Sequence, residues 1–340
     1  MVSVGVKRMN SASSRIAVCL LGLLCAFLPR AYGRQNRPVP QPSPQPQLVI
    51  LDTDIGDDID DAFALALALR SPELRLLGVT TTFGDTELRA RLVDRFLSAV
   101  GRGNLPVASG APTPHSNVFT QAAYAHRAPR VTYAGAIGFW LNQIRAHPGQ
   151  ITLIAIGPLT NVQAAIQRDP ATFRKLKRVV IMGGSVRRGY DDPKTGAHRP
   201  PAAEWNFKCD PAGAQALLAS GVPVYLMPLD STHIHLGQKD REAIFAHGSP
   251  LTDQLTLLYH QWLAGNGSSS PTPTLFDPVA VAYAFQPALC PVIPLHLRVD
   301  EKGFTREVAG APPNAQVCLH LDESGFRKLL LDRLIGNPGN

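Results

Sequence analysis

Leu51 to Ala68 reads LDTDIGDDIDDAFALALA: an apolar strand end, six carboxylates within ten residues, then a long apolar stretch. Asp52, Asp54, Asp57, Asp58, Asp60 and Asp61 crowd one short piece of chain. A helix N-terminus favours one or two acids through its open N–H groups and its dipole, but six like charges repel unless a cation neutralises several of them. Hard oxygen ligands in excess point to calcium or magnesium. The bland alternative is a solvated acidic cap. An EF-hand is excluded, because its fixed alternation of ligands and its glutamate at position twelve are absent.

On either side of this stretch lie apolar runs rich in Val, Ile and Leu that predict buried parallel strands at Leu48–Leu51, Leu76–Thr80, Ile151–Ile156, Val179–Met182 and Val224–Met227. Between them, Asp61–Arg70, Glu87–Val100, Leu159–Arg168 and Pro211–Ala219 carry apolar residues at helical spacing. Alternating strand and helix implies an α/β fold: an open, mostly parallel, Rossmann-like sheet with helices on both faces. Ligands in such sheets bind beyond the carboxyl ends of the strands, where the acidic stretch lies. Arg187–Ala203 and Gly265–Pro273 read as long loops able to cover a site. After Cys290 the patterning weakens, with strands expected at Leu295–Val299 and Val317–Leu321 and a closing helix at Glu323–Leu334. A single domain is expected over residues 48–340.

Residues 1–33 have the layout of a secretory signal peptide: Lys7, Arg8 and Arg15 ahead of an apolar run from Ile16 to Leu28, then Ala31-Tyr32-Gly33. The run is too short for the roughly 20 residues of a spanning helix, so no stable membrane insertion is expected after cleavage. Lipoprotein anchoring at Cys25 is the minor alternative. Residues 34–47, rich in Pro and Gln, read as an extended tether. Loss of the signal removes four basic residues and no acid, taking the formal charge from +7 to +3. The mature part has no basic run interleaved with aromatics, so nucleic acid is not an expected partner. Cys209, Cys290 and Cys318 are too few and too widely spaced for a disulfide framework or a zinc site, and at most one bridge is expected.

The motif LDTDIGDDIDDAFALALA resembles the amino-terminal fingerprint of the inosine-uridine-preferring nucleoside hydrolase family. Further blocks resemble the family in the same order: GVTTTFGD at Gly78–Asp85, ITLIAIGPLTNV at Ile151–Val162, VVIMGG at Val179–Gly184, Glu204-Trp205-Asn206 with Asp210-Pro211, and Phe276-Asp277-Pro278. The resemblance implies hydrolysis of the N-glycosidic bond of a ribonucleoside, by a calcium-held water from which an aspartate takes a proton. It implies Asp54, Asp61, Asp277 and the main-chain oxygen of Ile156 as ligands of Ca2+, and Asp60 as general base. It implies Glu204 and Asn206 on the ribose hydroxyls, Asp85 as a further ribose-side residue, and a homo-oligomer of exported chains acting on a small-molecule nucleoside.

Three departures from the family pattern leave roles open. The acidic loop is two residues longer than the commonest form, so Asp58 can trade places with Asp60. Asp85 stands where many members have asparagine, and an Asp after Gly84 is also ordinary turn chemistry. Phe276 stands where a subset of the family has a histidine that protonates the departing base; phenylalanine can stack on a base but donates no proton. His233 and His198 are the alternative acids, and Thr160-Asn161 are expected to cap the helix after Pro158. Two other classes were weighed. An exported nucleoside- or sugar-binding protein needs no general base, and a haloacid dehalogenase-type phosphatase shares the strand-Asp-x-Asp opening but wants Thr or Val where Gly56 stands.

Overall fold

The computed structural model describes residues 45–114, 118–192, 195–267 and 270–336. These fall within one unit, Pro44–Asn340. The signal segment, Cys25 and most of the tether lie outside the described residues.

Eleven strands follow in chain order: β1 (Gln47–Thr53), β2 (Leu74–Thr81), β3 (Val107–Ser109), β4 (Ala134–Gly135), β5 (Ile151–Ala155), β6 (Arg178–Met182), β7 (Val224–Met227), β8 (Val292–Leu295), β9 (Leu297–Val299), β10 (Thr305–Glu307) and β11 (Ala315–Cys318). Nine form one sheet in the order β4-β3-β2-β1-β5-β6-β7-β11-β8, with β9 and β10 as a separate hairpin. Every neighbouring pair in the large sheet is parallel except β8 with β11. The expected open α/β sheet is therefore the observed one.

Both faces are covered, which is why the strands read as continuous apolar runs rather than alternating ones. Along β1, Val49 and Leu51 enter one apolar cluster and Ile50 the other. Helix α1 (Asp60–Leu69) is buried from Asp60 through Ala68, as its all-round apolar sequence requires. It packs against the helix Pro278–Phe285, itself almost wholly buried.

The chain moves outward from β1 through β2 and β3 to β4, then returns to the other side of β1 at β5 and moves outward again through β6 and β7. Adjacent β1 and β5 thus send their carboxyl ends into connections that diverge. A crevice opens at such a switch point.

Three expectations need correction. Leu295–Val299 is two strands, not one: β8 joins the large sheet and β9 pairs with β10. Asn314 explains the break, because its Oδ1 accepts from Leu297 N–H (2.8 Å) and its Nδ2 donates to Leu297 C=O (2.9 Å), replacing a strand partner. Thr160 and Asn161 do not cap their helix, which starts after Leu159 with no side-chain cap. Asn161 Nδ2 instead donates to Asp52 Oδ1 (2.9 Å) and Thr81 C=O (3.0 Å), and Thr160 pairs with the Thr82 hydroxyl (2.7 Å), tying β1 and β2 to the helix. Asp85 lies at the exposed start of helix α2 (Thr86–Ala99), where its carboxylate accepts from Leu88 N–H. It is a helix cap and lines no part of the crevice. The single bridge allowed by the cysteine count is Cys290–Cys318.

Candidate active site

The crevice at the ends of β1 and β5 is a cavity of about 520 Å³. Seven carboxylates line it, and no Lys, Arg or His does so among the described residues: Asp54, Asp57, Asp58, Asp60 and Asp61 from the acidic loop and the start of α1, Glu204, and Asp277. The loop delivers them because β1 ends at Thr53 and α1 begins at Asp60, so six residues cross the mouth of the crevice between two fixed elements. Asp277 arrives from the far end of the chain as the N-cap residue of Pro278–Phe285, the helix that packs on α1. Its backbone N–H points at Asp60 Oδ2 (3.4 Å).

Asp60, Asp61 and Asp277 each bring a carboxylate oxygen within 4.8 Å of the others, and all three are buried. Burial, then repulsion from neighbouring carboxylates, pushes all three well above the usual carboxylate range, with Asp58 and Asp54 the repelling neighbours of Asp60. Asp54 is pushed up to about 7, again by burial first, against the opposing pull of Arg89. Buried acids this close stay ionised together only beside a positive charge. Hard oxygens from three carboxylates, a fourth beside them and the Ile156 carbonyl at the rim fit a divalent cation of the calcium or magnesium kind.

The tightest trio differs from the ligand set that the resemblance implies. Asp60, expected as the base, stands in it, while Asp54, expected as a ligand, stands beside it and accepts a hydrogen bond from the Trp205 side chain. Asp58 sits on the exposed rim, facing the Trp262 side chain.

Glu204 and Asn206 line the opposite side. Glu204 caps the short helix Trp205–Cys209: its Oε1 accepts from Asn206 N–H (2.9 Å), and its Oε2 from Gly184 (2.7 Å) and Phe207 (3.2 Å). Burial still raises it to about 7. Asn206 Nδ2 donates to the carbonyls of Met182 (3.1 Å) and Ile156 (3.3 Å), which orients its Oδ1 away from them as an acceptor.

Aromatic rings close the remaining wall. Phe276 and Tyr190 meet edge to face at 6.1 Å, and Trp205 and Trp262 also line the cavity. His233 stands behind Phe276 (5.4 Å), its Nδ1 against Leu229 C=O (2.6 Å), and lines no part of the cavity. Burial holds its pKa below the usual histidine value. His198 is an exposed partner of Asp191 (2.9 Å), also outside the cavity. Neither histidine reaches the position of a leaving-group acid.

Sequence reasoning missed Tyr190, Trp205, Trp262 and Arg89. Tyr190 lies where the sequence shows only a long loop, and Trp262 on a helix, Pro250–Gly265, that the sequence reading did not single out. Trp205 stood between two residues already singled out. Arg89 carried a readable signal, since it falls on the same helical stripe as Leu92, Val93 and Phe96, and an arginine on a core face needs an anionic partner.

The inosine-uridine preferring nucleoside hydrolase family model matches residues 49–328. The chain is 31% identical over 316 residues to a pyrimidine-specific ribonucleoside hydrolase RihA of Citrobacter koseri, covering 84% of this chain and 97% of that protein. It is 32% identical over 318 residues to the RihA of Escherichia coli O1:K1 / APEC, with the same coverage. Among solved structures, the plant nucleoside hydrolase PpNRh1 superposes with a TM-score of 0.74 at 26% identity, over 86% of this chain and all of that one. A purine-preferring ribonucleoside hydrolase from Gardnerella vaginalis shares the fold, with a TM-score of 0.72 at 24% identity over 85% of this chain and 98% of that one. An acid-lined crevice at a parallel-sheet switch point, a carboxylate trio and the polar pair Glu204 and Asn206 are thus found on a chain that belongs to the inosine-uridine preferring nucleoside hydrolase family, enzymes that hydrolyse the N-glycosidic bond of ribonucleosides.

Proposed function

We propose that this hydrolase works with calcium in the carboxylate trio, that an aspartate beside the ion takes the proton of the attacking water, and that the enzyme acts outside the cytoplasm. The observation that carries the reading is the meeting of Asp60, Asp61 and Asp277 in one buried trio without a basic residue in the cavity wall. Asp61, Asp277, the Ile156 carbonyl and one of Asp60 and Asp54 would hold the ion, which would supply a Lewis acid able to lower the pKa of a water.

Around it the chain's own groups divide the work. Glu204 and Asn206 present oxygen acceptors to the ribose hydroxyls, and a site built to pair a hydroxyl rejects a sugar that lacks it. The water's oxygen attacks the anomeric carbon, and its proton passes to a carboxylate. Three carboxylates qualify as that base, Asp60 or Asp58 in its place by resemblance, and Asp54 by its place beside the trio. The ligand among them is distinguished by lost calcium affinity on amide substitution, and the base by lost turnover with calcium retained. The glycosidic electron pair leaves with the nucleobase. Tyr190 keeps its phenolic proton, since burial and then Glu204 raise its pKa. With Phe276 in the wall and His233 and His198 outside it, the Tyr190 hydroxyl is one aromatic donor the wall offers to the departing base, beside the indole N–H groups of Trp205 and Trp262, which already face Asp54 and Asp58.

Export is supported by the signal-like residues 1–33 and by the Cys290–Cys318 bridge, a bond at home in oxidising compartments. Pyrimidine ribonucleosides are the first substrates to try, because the relatives at 31% and 32% identity carry that specificity in their names.

The test is release of free ribose from a panel of pyrimidine and purine ribonucleosides by the mature protein, with and without a calcium chelator. Release that stops with the chelator and returns with calcium supports the reading. Calcium binding with no release from any nucleoside would favour a binding protein, and chelator-insensitive release would remove the ion from the mechanism.

A further inference from the structure

We propose that Arg89 is the positioning residue of the acidic loop, a buried clamp that aims its carboxylates into the crevice before any cation arrives. The proposal rests on the cation reading above and deepens it.

Arg89 is 0% exposed and reaches from α2 to the underside of the loop. Its Nη1 donates to the carbonyls of Asp54 and Ile55, the latter at 3.0 Å, and to Asp57 Oδ1 at 3.3 Å. Its Nη2 donates to Asp57 Oδ2 at 3.0 Å. Its Nε donates to the Phe83 carbonyl at 2.8 Å. One rigid planar fork therefore fixes the backbone at two successive loop residues and a side chain two positions on, a geometry that an ammonium cannot copy.

Two further observations show that the clamp is built in. Phe83, whose carbonyl receives Nε, has a φ of 61°, the left-handed region that a bulky residue adopts only when its surroundings hold it there. Its ring meets Trp205 edge to face at 6.3 Å, and the Trp205 side chain donates to Asp54, so the same residue braces the loop from the sugar side. From above, the Phe119 ring lies against Gly56, whose φ of 127° and missing Cβ make the room. The loop is thus held between Phe119 and Arg89. A longer loop has more conformations to lose, and the clamp removes them in advance.

Charge and position predict opposite signs. A buried cation beside a cation site repels the ion, so if Arg89 acted through charge alone, Arg89→Met would tighten calcium binding and Arg89→Lys would leave it unchanged. If Arg89 positions the loop, both variants weaken binding.

The experiment measures calcium affinity by titration calorimetry on chelator-stripped mature protein, wild type and both variants, together with kcat and KM at saturating calcium. A loss of tenfold or more in calcium affinity is expected for each variant, with kcat falling for Arg89→Lys while KM moves less. Unchanged or tighter calcium binding by folded Arg89→Lys overturns the proposal even if its melting temperature falls. Should the variants not fold, hydrogen exchange on stripped wild-type protein decides: amides of residues 54–59 protected without calcium support the clamp, and protection that appears only with calcium overturns it. Wild-type protein that binds no calcium would sink the cation reading, and the exchange measurement would still judge the clamp.

Discussion

The crevice has two walls made in different ways. The acidic wall hangs from the ends of regular elements: Thr53 closes β1, Asp60 and Asp61 open α1, and Asp277 precedes a helix packed on α1. The aromatic wall is gathered from the long loop after β6, which brings Tyr190, from the end of the helix Pro250–Gly265, which brings Trp262, and from Phe276 in the approach to Asp277. The wall carrying charge is fixed by sheet and helix geometry, whereas the aromatic wall, which we propose meets the base, depends on loop connections, the parts of a fold that vary most. Reaction type therefore belongs to the first and base preference to the second.

The largest expected effect lies on the acidic wall. Asp60→Asn should lower kcat by about 100- to 10,000-fold, the usual contribution of a general base, with calcium affinity largely kept. Turnover near wild type would move the role to Asp58 or Asp54. Lost calcium binding would make Asp60 a ligand, as its place in the trio allows.

The same wall makes stability depend on pH. In cation-free protein Asp54 and Glu204 are raised to about 7 from the ordinary carboxyl values of 3.8 and 4.5, chiefly by burial. A carboxyl whose folded pKa exceeds its unfolded one stabilises the fold fully below the unfolded value, and that contribution is lost as pH rises through the folded value. Chelator-treated protein should therefore lose several degrees of melting temperature between about pH 4 and pH 8. Calcium should raise the melting temperature more at pH 8 than at pH 5. An equal increment at both would show that the trio does not exchange protons for the ion.

On the aromatic wall, effects should be smaller and specific to the base. Phe276→Ala should raise KM about five- to tenfold, consistent with roughly 1–3 kcal/mol for stacking of a base on an aromatic ring. A uniform change across purine and pyrimidine substrates would show that Phe276 only fills space. The smallest effect belongs to an acid outside both walls: Asp85→Ala should cost about 1 kcal/mol through the lost α2 cap and leave kcat and KM unchanged. A kinetic defect there would mean that the boundary of the acidic wall is drawn too tightly.

The same division explains what was legible in the sequence. The strands Val179–Met182 and Val224–Met227 and the helix α1 could be read because burial on both faces or all round imposes unbroken apolar runs. The acidic loop was legible because six like charges have few physical explanations. Tyr190 and Trp262 were not, because one aromatic in a loop or on an amphipathic helix looks the same whether it meets solvent, core or ligand. Thr160 and Asn161 misled for a related reason: a Thr-Asn pair at a helix start usually caps it, and here the hydroxyl of Thr82 and the carboxylate of Asp52 compete for them. The break at His296 depended on Asn314, many residues downstream, whose side chain substitutes for a strand.

Asp60 and Asp277 meet across 217 residues of chain. No fragment ending before Asp277 contains the trio, however well its sheet forms, so the ability to capture an ion is acquired only when the last part of the chain has docked onto the first. Ion capture in this protein is accordingly a certificate of completed folding, and a chain cut short or stalled on the way to the native state is barred from the chemistry by arithmetic rather than by instability.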